Sequence, residues 1–120
     1  MKKKFLIVLF VIVLFCISCS TSRFDDIQAF LPDLSGKADG IYRGEYNLSG
    51  TPVRVAVDVT VANQRIVAVD ITRHTGSPIG RRAFSITERI IENHSLNVDA
   101  VSGATGSSKA ILKAVEDALQ

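Results

Sequence analysis

Between residues 40 and 72, apolar and polar positions alternate with a period of two, the pattern of half-buried strands. Tyr42, Gly44, Tyr46 and Leu48 share one face of a first strand. Val53, Val55, Val57, Val59 and Val61 share one face of a second, against Arg54, Ala56, Asp58 and Thr60. Residues 66–72 repeat the pattern, with Val67, Val69 and Ile71 set against Ala68, Asp70 and Thr72. Ser49-Gly50-Thr51-Pro52 and Asn63-Gln64 separate the runs and suit turns. Past Thr72 the period lengthens. Ile79, Ala83, Ile86 and Ile90 fall on one side of a helix over 79–91, with Phe84 and Ile91 beside them. Ile111, Leu112, Val115, Ala118 and Leu119 do the same over 107–119. These patterns predict an α+β fold: a small antiparallel sheet, a three-stranded meander or slightly larger, covered on one face by two helices. Three strands without such a cover would not stand alone.

The N-terminus follows a different rule. Lys2-Lys3-Lys4 precedes an unbroken apolar run of 13 residues, Phe5 to Ile17. That run is short for a membrane span and suits the apolar region of a signal peptide; an uncleaved anchor is the alternative. The run ends Cys16-Ile17-Ser18-Cys19, which resembles a bacterial lipobox with Cys16 where leucine is usual and Cys19 as the lipidated residue. The expected division is a signal peptide over 1–18, a lipidated tether over 19–38 and a domain over 39–120. Phe24, Ile27, Phe30, Leu31 and Leu34 are spaced for a short helix on the domain or on a partner, although a mobile linker is the preferred reading. Cleavage leaves Cys19 alone, so no intrachain disulfide is available. The formal net charge of +2 includes the three N-terminal lysines, and removing them takes it to −1. No basic stripe remains to suggest nucleic acid as a partner. The predicted location is the extracytoplasmic face of a cell membrane, held there by lipid.

Candidate chemistry concentrates in Asp99-Ala100-Val101-Ser102-Gly103-Ala104-Thr105-Gly106, just before the last helix. Its small residues leave the backbone bare, and Gly103 and Gly106 permit angles closed to other residues. A helix start offers unpaired N–H groups and the positive end of a dipole, a ready site for phosphate. A simpler reading is that Thr105 or Ser107 caps the helix. His74 lies in a turn-rich loop, Arg73 to Pro78, and His94 sits at a helix end. The two histidines stand far apart and no cysteines are spaced for ligation, so no metal site is expected. There is no nucleophile–His–acid set and no dinucleotide fingerprint.

Asp-x-x-Ser-Gly-Ala-Thr, Asp99 to Thr105, resembles the flavinylation motif of the FMN-binding domain family, which includes the covalent-flavin subunits of sodium-pumping NADH:quinone reductase and of the Rnf complex. The resemblance runs over roughly residues 39–119. It implies that a flavin transferase, with FAD as donor, attaches FMN to Thr105 through a phosphoester, making the chain a phosphoprotein in that sense. Asp99 would serve recognition by the transferase, through its metal. Ser102, Gly103 and Ala104 would leave it an open approach, and His74 would lie near the flavin. Tyr42, Tyr46 and Phe84 are candidates to stack on the ring, with a core role preferred. The implied function is a redox carrier between a membrane reductase and an extracytoplasmic acceptor, rather than an enzyme with its own substrate. Two alternatives stay open: a flavin-bearing subunit of a reductase with a separate catalytic chain, and a flavin-free structural lipoprotein.

Overall fold

A computed structural model describes residues 2–4, 6–8, 27 and 29–120. Strands β1 (Gly40–Asn47), β2 (Arg54–Ala62) and β3 (Arg65–Thr75) form an antiparallel sheet in the order β1-β2-β3. A 3-10 helix, Pro78–Ser85, leads into α1 (Ile86–Asn93), and α2 (Thr105–Leu119) closes the chain. This is the expected α+β meander with helices. The β2–β3 turn holds both Asn63 and Gln64 at positive φ, 51° and 60°, the mirror-image turn whose twist matches a hairpin. Val55, Val57, Val59 and Val61 are all buried, and the helices lay Ile86, Ile90, Ile111 and Val115 into the same core.

α2 lies close on β1 because of Gly44. A Cβ there would fall on the Ala114 carbonyl oxygen and 2.5 Å from the Ala118 nitrogen. On the opposite face of the sheet, Arg43 pairs with Asp58 at 2.8 Å in solvent.

The structure departs from the simple alternation in β3. The register shifts between Thr60 and Val61, so that Val61 pairs with Ile66 and Val67 is the extra residue of a β-bulge. Ile66 takes the inward place and Val67 is 50% exposed. A second shift, between Ala56 and Val57, leaves Thr72 as the extra residue, its hydroxyl donating to the Ala56 carbonyl at 3.2 Å. A one-residue slip turns every later side chain to the other face. His74, expected in a loop, is therefore in β3, opposite buried Val55 and on the helix side.

The first helix also differs. Residues 78–85 wind with about three residues per turn instead of about 3.6. Over the seven residues from Ile79 to Ile86 this rotates Ile79 well away from the Ile86 face, and Ile79 is 56% exposed. His94 does end α1, but in a left-handed conformation with φ 45° and ψ 49°.

Residues 29–38, the second half of the expected tether, lie on the domain without helix. Ala29 and Leu34 are buried in the common core. The Phe30 amide donates to Glu116 Oε2 at 2.6 Å, and Lys37 Nζ donates to the Leu119 carbonyl at 3.1 Å, where a cation favours the end of a helix. Residues 2–4 and 6–8 are helical, and no helix among the described residues is long and apolar enough to cross a membrane. The cleavage and lipidation expectations at Ser18 and Cys19 lie outside the described residues.

Candidate functional site

The chain enters α2 through a wired turn. Val101 to Ala104 close on themselves, Ala104 N–H donating to the Val101 carbonyl at 2.9 Å, with Gly103 at φ +79°. Only Gly103 uses the freedom expected of both glycines, because Gly106 is already helical. Ser108, fully buried, fixes this turn from within: its hydroxyl accepts from Val101 N–H at 3.0 Å and donates to the Ala104 carbonyl at 2.7 Å. The helix therefore starts at Thr105, two residues before the expected Ser107, with Ala104 as its cap residue and no side-chain cap.

The capping reading of Thr105 and Ser107 is thus overturned. The amides of Thr105, Gly106 and Ser107 are those a helix start leaves without intrahelical partners. The Thr105 hydroxyl makes no hydrogen bond among the described residues. Ser107 turns inward instead, 6% exposed, and its Oγ lies 3.0 Å from His74 Nε2. The direction of that hydrogen bond follows the imidazole tautomer. The bulge at Thr72 is what brings His74 to this side.

Gly80 backs the pair. A Cβ there would lie 2.5 Å from Ser107 Oγ and 2.9 Å from His74 Cε1. Gly80 is held by Ser77, which caps the 3-10 helix by accepting its N–H at 3.3 Å, with Pro78 next in the chain. The edge of the His74 ring meets Phe84, centroids 5.3 Å apart at 80°. Burial, and secondarily the charge of Arg81, hold the His74 pKa below the usual histidine value, so the ring is neutral at neutral pH.

Thr105, Gly106, Ser107, Gly103 and Ala104 form one wall of a cavity of about 360 Å³, with Val53, Ser77 and Gly80 as the other. His74 stands behind that wall, against Ser107 and Gly80. Asp99 and Ser102 are elsewhere, on a separate groove with Arg89, Asn93 and Asn97. The motif is therefore divided between two faces of the molecule. Of the aromatic candidates, Tyr42 packs at the other end of α2. It lies beneath Lys37, which bonds the Leu119 carbonyl, and α2 is about 22 Å long at ~1.5 Å per residue. Tyr46 lies in the same cross-sheet row as Val55 and His74, and Phe84 touches His74 itself.

A sequence model of the FMN-binding domain matches residues 49–120. The chain belongs to the FMN-binding domain family. It is also 36% identical, over 84 residues, to an uncharacterized protein of Treponema pallidum (strain Nichols). That match takes in 68% of this chain and 23% of the relative, so the chain spans under a quarter of the relative's length.

The residues present fit a flavin mononucleotide. A helix start with free amides suits its phosphate, and a Cβ at Gly103 would meet nothing within 4 Å, so the turn before the helix is open beside it. The cavity is within the range of about 300–1,000 Å³ common for small-molecule sites. Sequence reasoning missed Ser77, Gly80, Ser107 and Ser108 as parts of the site. Ser77-Pro78 carried a usable signal, since serine followed by proline is a helix-start pattern.

Proposed function

We propose that the protein is a membrane-tethered electron carrier with FMN joined to Thr105 by a phosphoester. The observation that carries this reading is Thr105, whose hydroxyl is unbonded among the described residues and which lines a cavity at the start of α2. Attachment replaces the Thr105 O–H bond with an O–P bond. The hydroxyl oxygen takes the flavin-side phosphorus of FAD, the bond to the bridging oxygen on the AMP side breaks, AMP leaves, and the proton passes to the transferase or to water. Thr105 is then an anchor and not a catalyst. The amides of Thr105, Gly106 and Ser107 and the α2 dipole stabilise the remaining phosphate charge. The His74–Ser107 hydrogen bond, held between Gly80 and Phe84, fixes the cavity wall. When bound, FMN supplies reversible transfer of one or two electrons.

The rest of the reading concerns place and partners. Lipid on Cys19 would hold the domain at the extracytoplasmic face of the membrane, between a membrane reductase and an external acceptor. Much of residues 29–38 is packed on the domain. A second reading is a flavin-bearing subunit that works with a separate catalytic chain. The test is flavin fluorescence in a denaturing gel after co-production with a flavin transferase. A fluorescent band in the wild type and none in Thr105→Ala supports attachment at Thr105. A dark wild-type band removes the covalent reading.

A further inference from the structure

The end of the domain that holds the Thr105 cavity carries positive charge with nothing to balance it. Three segments build that end, residues 48–57, 71–87 and 100–108, and none contains an aspartate or glutamate. They do contain Arg54, Arg73, Arg81 and Arg82. Arg54 follows Val53 in the chain, and Arg81 and Arg82 follow Gly80; Val53 and Gly80 both line the cavity. Arg54, Arg81 and Arg82 are exposed and make no ion pair among the described residues. Arg73 is set apart on the outer sheet face, in a groove shared with Arg43 and Glu45. Exposed Ile79 adds an apolar side chain beside Gly80. Carboxylates collect at the far end of the domain. Near the C-terminus of α2, Glu116 accepts from the Phe30 amide and Asp117 from the Glu45 amide, and Asp39 accepts from the Asn63 amide at the β2–β3 turn.

Without the three N-terminal lysines the net charge is −1, so the positive end comes from arrangement and not from composition. Unpaired exposed arginines at one end do not serve stability. The single charge of a phosphodiester at Thr105 would not cancel three guanidinium groups. A flavin held at Thr105 is reached from this end, so the surface around the cavity is the one an electron partner meets. Resting on the attachment reading of Thr105, we propose that Arg54, Ile79, Arg81 and Arg82 form the docking face for an acidic redox protein. The guanidinium groups steer the partner's carboxylates toward the cavity, and Ile79 supplies an apolar contact at the centre. An anionic bilayer on the same face would cover the cavity and close it to any acceptor, which favours a protein.

The test is stopped-flow oxidation of the dithionite-reduced, FMN-loaded full chain by two metalloproteins of opposite charge, acidic plastocyanin and basic cytochrome c. Two plastocyanin coppers, Cu(II) to Cu(I), take the two electrons of each reduced FMN, whose protons go to water. Rates are compared at about 0.05 M and about 0.5 M salt, where exposed charges are respectively felt and screened. Arg81→Glu and Arg82→Glu reverse charge beside the cavity. Arg65→Glu is the control for net charge, at the start of β3 and roughly 30 Å along the strand from Thr75. In low salt both variants beside the cavity are expected to react with plastocyanin at least fivefold more slowly than the wild type, and with cytochrome c no more slowly. The differences should fall within twofold in high salt, and Arg65→Glu should stay within twofold throughout. Wild-type rates in both variants overturn the proposal, as does an equal loss in Arg65→Glu or a loss that persists in high salt. So does loss of binding to vesicles of phosphatidylcholine and phosphatidylglycerol in Arg82→Glu with an unchanged plastocyanin rate, which would make this end a lipid contact. If no FMN attaches, the attachment reading fails by itself, and amide NMR shifts of the flavin-free chain titrated with plastocyanin decide the docking face. Shifts centred on Val53, Arg54 and residues 79–82 support it, and shifts elsewhere or none overturn it.

Discussion

Replacing Gly80 by alanine tests whether the His74–Ser107 pair is packed as tightly as its geometry indicates. The added Cβ would sit 2.5 Å from Ser107 Oγ and 2.9 Å from His74 Cε1. The Ser107 hydroxyl can swing aside by changing rotamer, but the imidazole is backed by Phe84 at 5.3 Å and must shift as a ring. Overpacking of this kind costs about 1–3 kcal/mol, and loss of the 3.0 Å hydrogen bond a further ~0.5–1.5 kcal/mol. Together these centre on about 3 kcal/mol, which corresponds to a drop of about 12–24 °C in Tm for a domain of this size. Thermal unfolding by circular dichroism reads the stability. A proton NMR titration of His74 gives an independent readout, because a ring pushed toward solvent loses part of the burial that depresses its pKa. The expected result is a lower Tm together with a His74 pKa moved up toward the ordinary histidine value. A variant with wild-type Tm and wild-type titration would refute the packing at this site.

Three further outcomes follow from the same geometry. The folded His74 pKa lies below the unfolded value near 6.5, so the unfolded chain takes up this proton first as pH falls. His74 therefore has no effect above that range, lowers stability as pH drops through 6.5, and levels off below the folded pKa; urea midpoints between pH 7.5 and 5.5 should slope less in His74→Gln than in the wild type. Gly44→Ala drives a Cβ into the α2 backbone at Ala114 and Ala118, where no rotamer can yield, and should cost about 3 kcal/mol by urea unfolding; a loss under about 1 kcal/mol would mean that α2 can lift off β1 freely. Leu34→Ala should cost about 2–3 kcal/mol by the same assay, since Leu34 is buried in the core, whereas a true linker residue would cost nothing measurable.

The meander was legible because its β2 face is a run of valines at every second position, and the turns at Ser49–Pro52 and Asn63-Gln64 carry ordinary turn chemistry. The bulges were not legible. Period two continues through Val67 and Thr72 in the sequence, and only the pairing with β2 shows that one extra residue sits at each place. The cost of missing them was the position of His74, which belongs to a strand and faces the helices. Ile79 was misplaced because the apolar spacing fits an α-helix while the chain winds more tightly there. Residues 29–38 looked polar enough for a linker, yet Ala29 and Leu34 are buried in the core, Leu31 packs against it, and Phe30 and Lys37 bond to α2. At the site, the motif marked Thr105 and the helix start. Its division into a cavity face and a groove face depends on how Ser108 and Arg89 tie the loop, and neither residue stands inside the motif.

The most direct measurement is the intact mass of the protein produced together with a flavin transferase, beside Thr105→Ala made the same way. The account predicts a gain of one FMN residue in the wild type, retained after denaturation and absent from the variant. A wild-type mass with no added flavin, or an equal gain in Thr105→Ala, would contradict it.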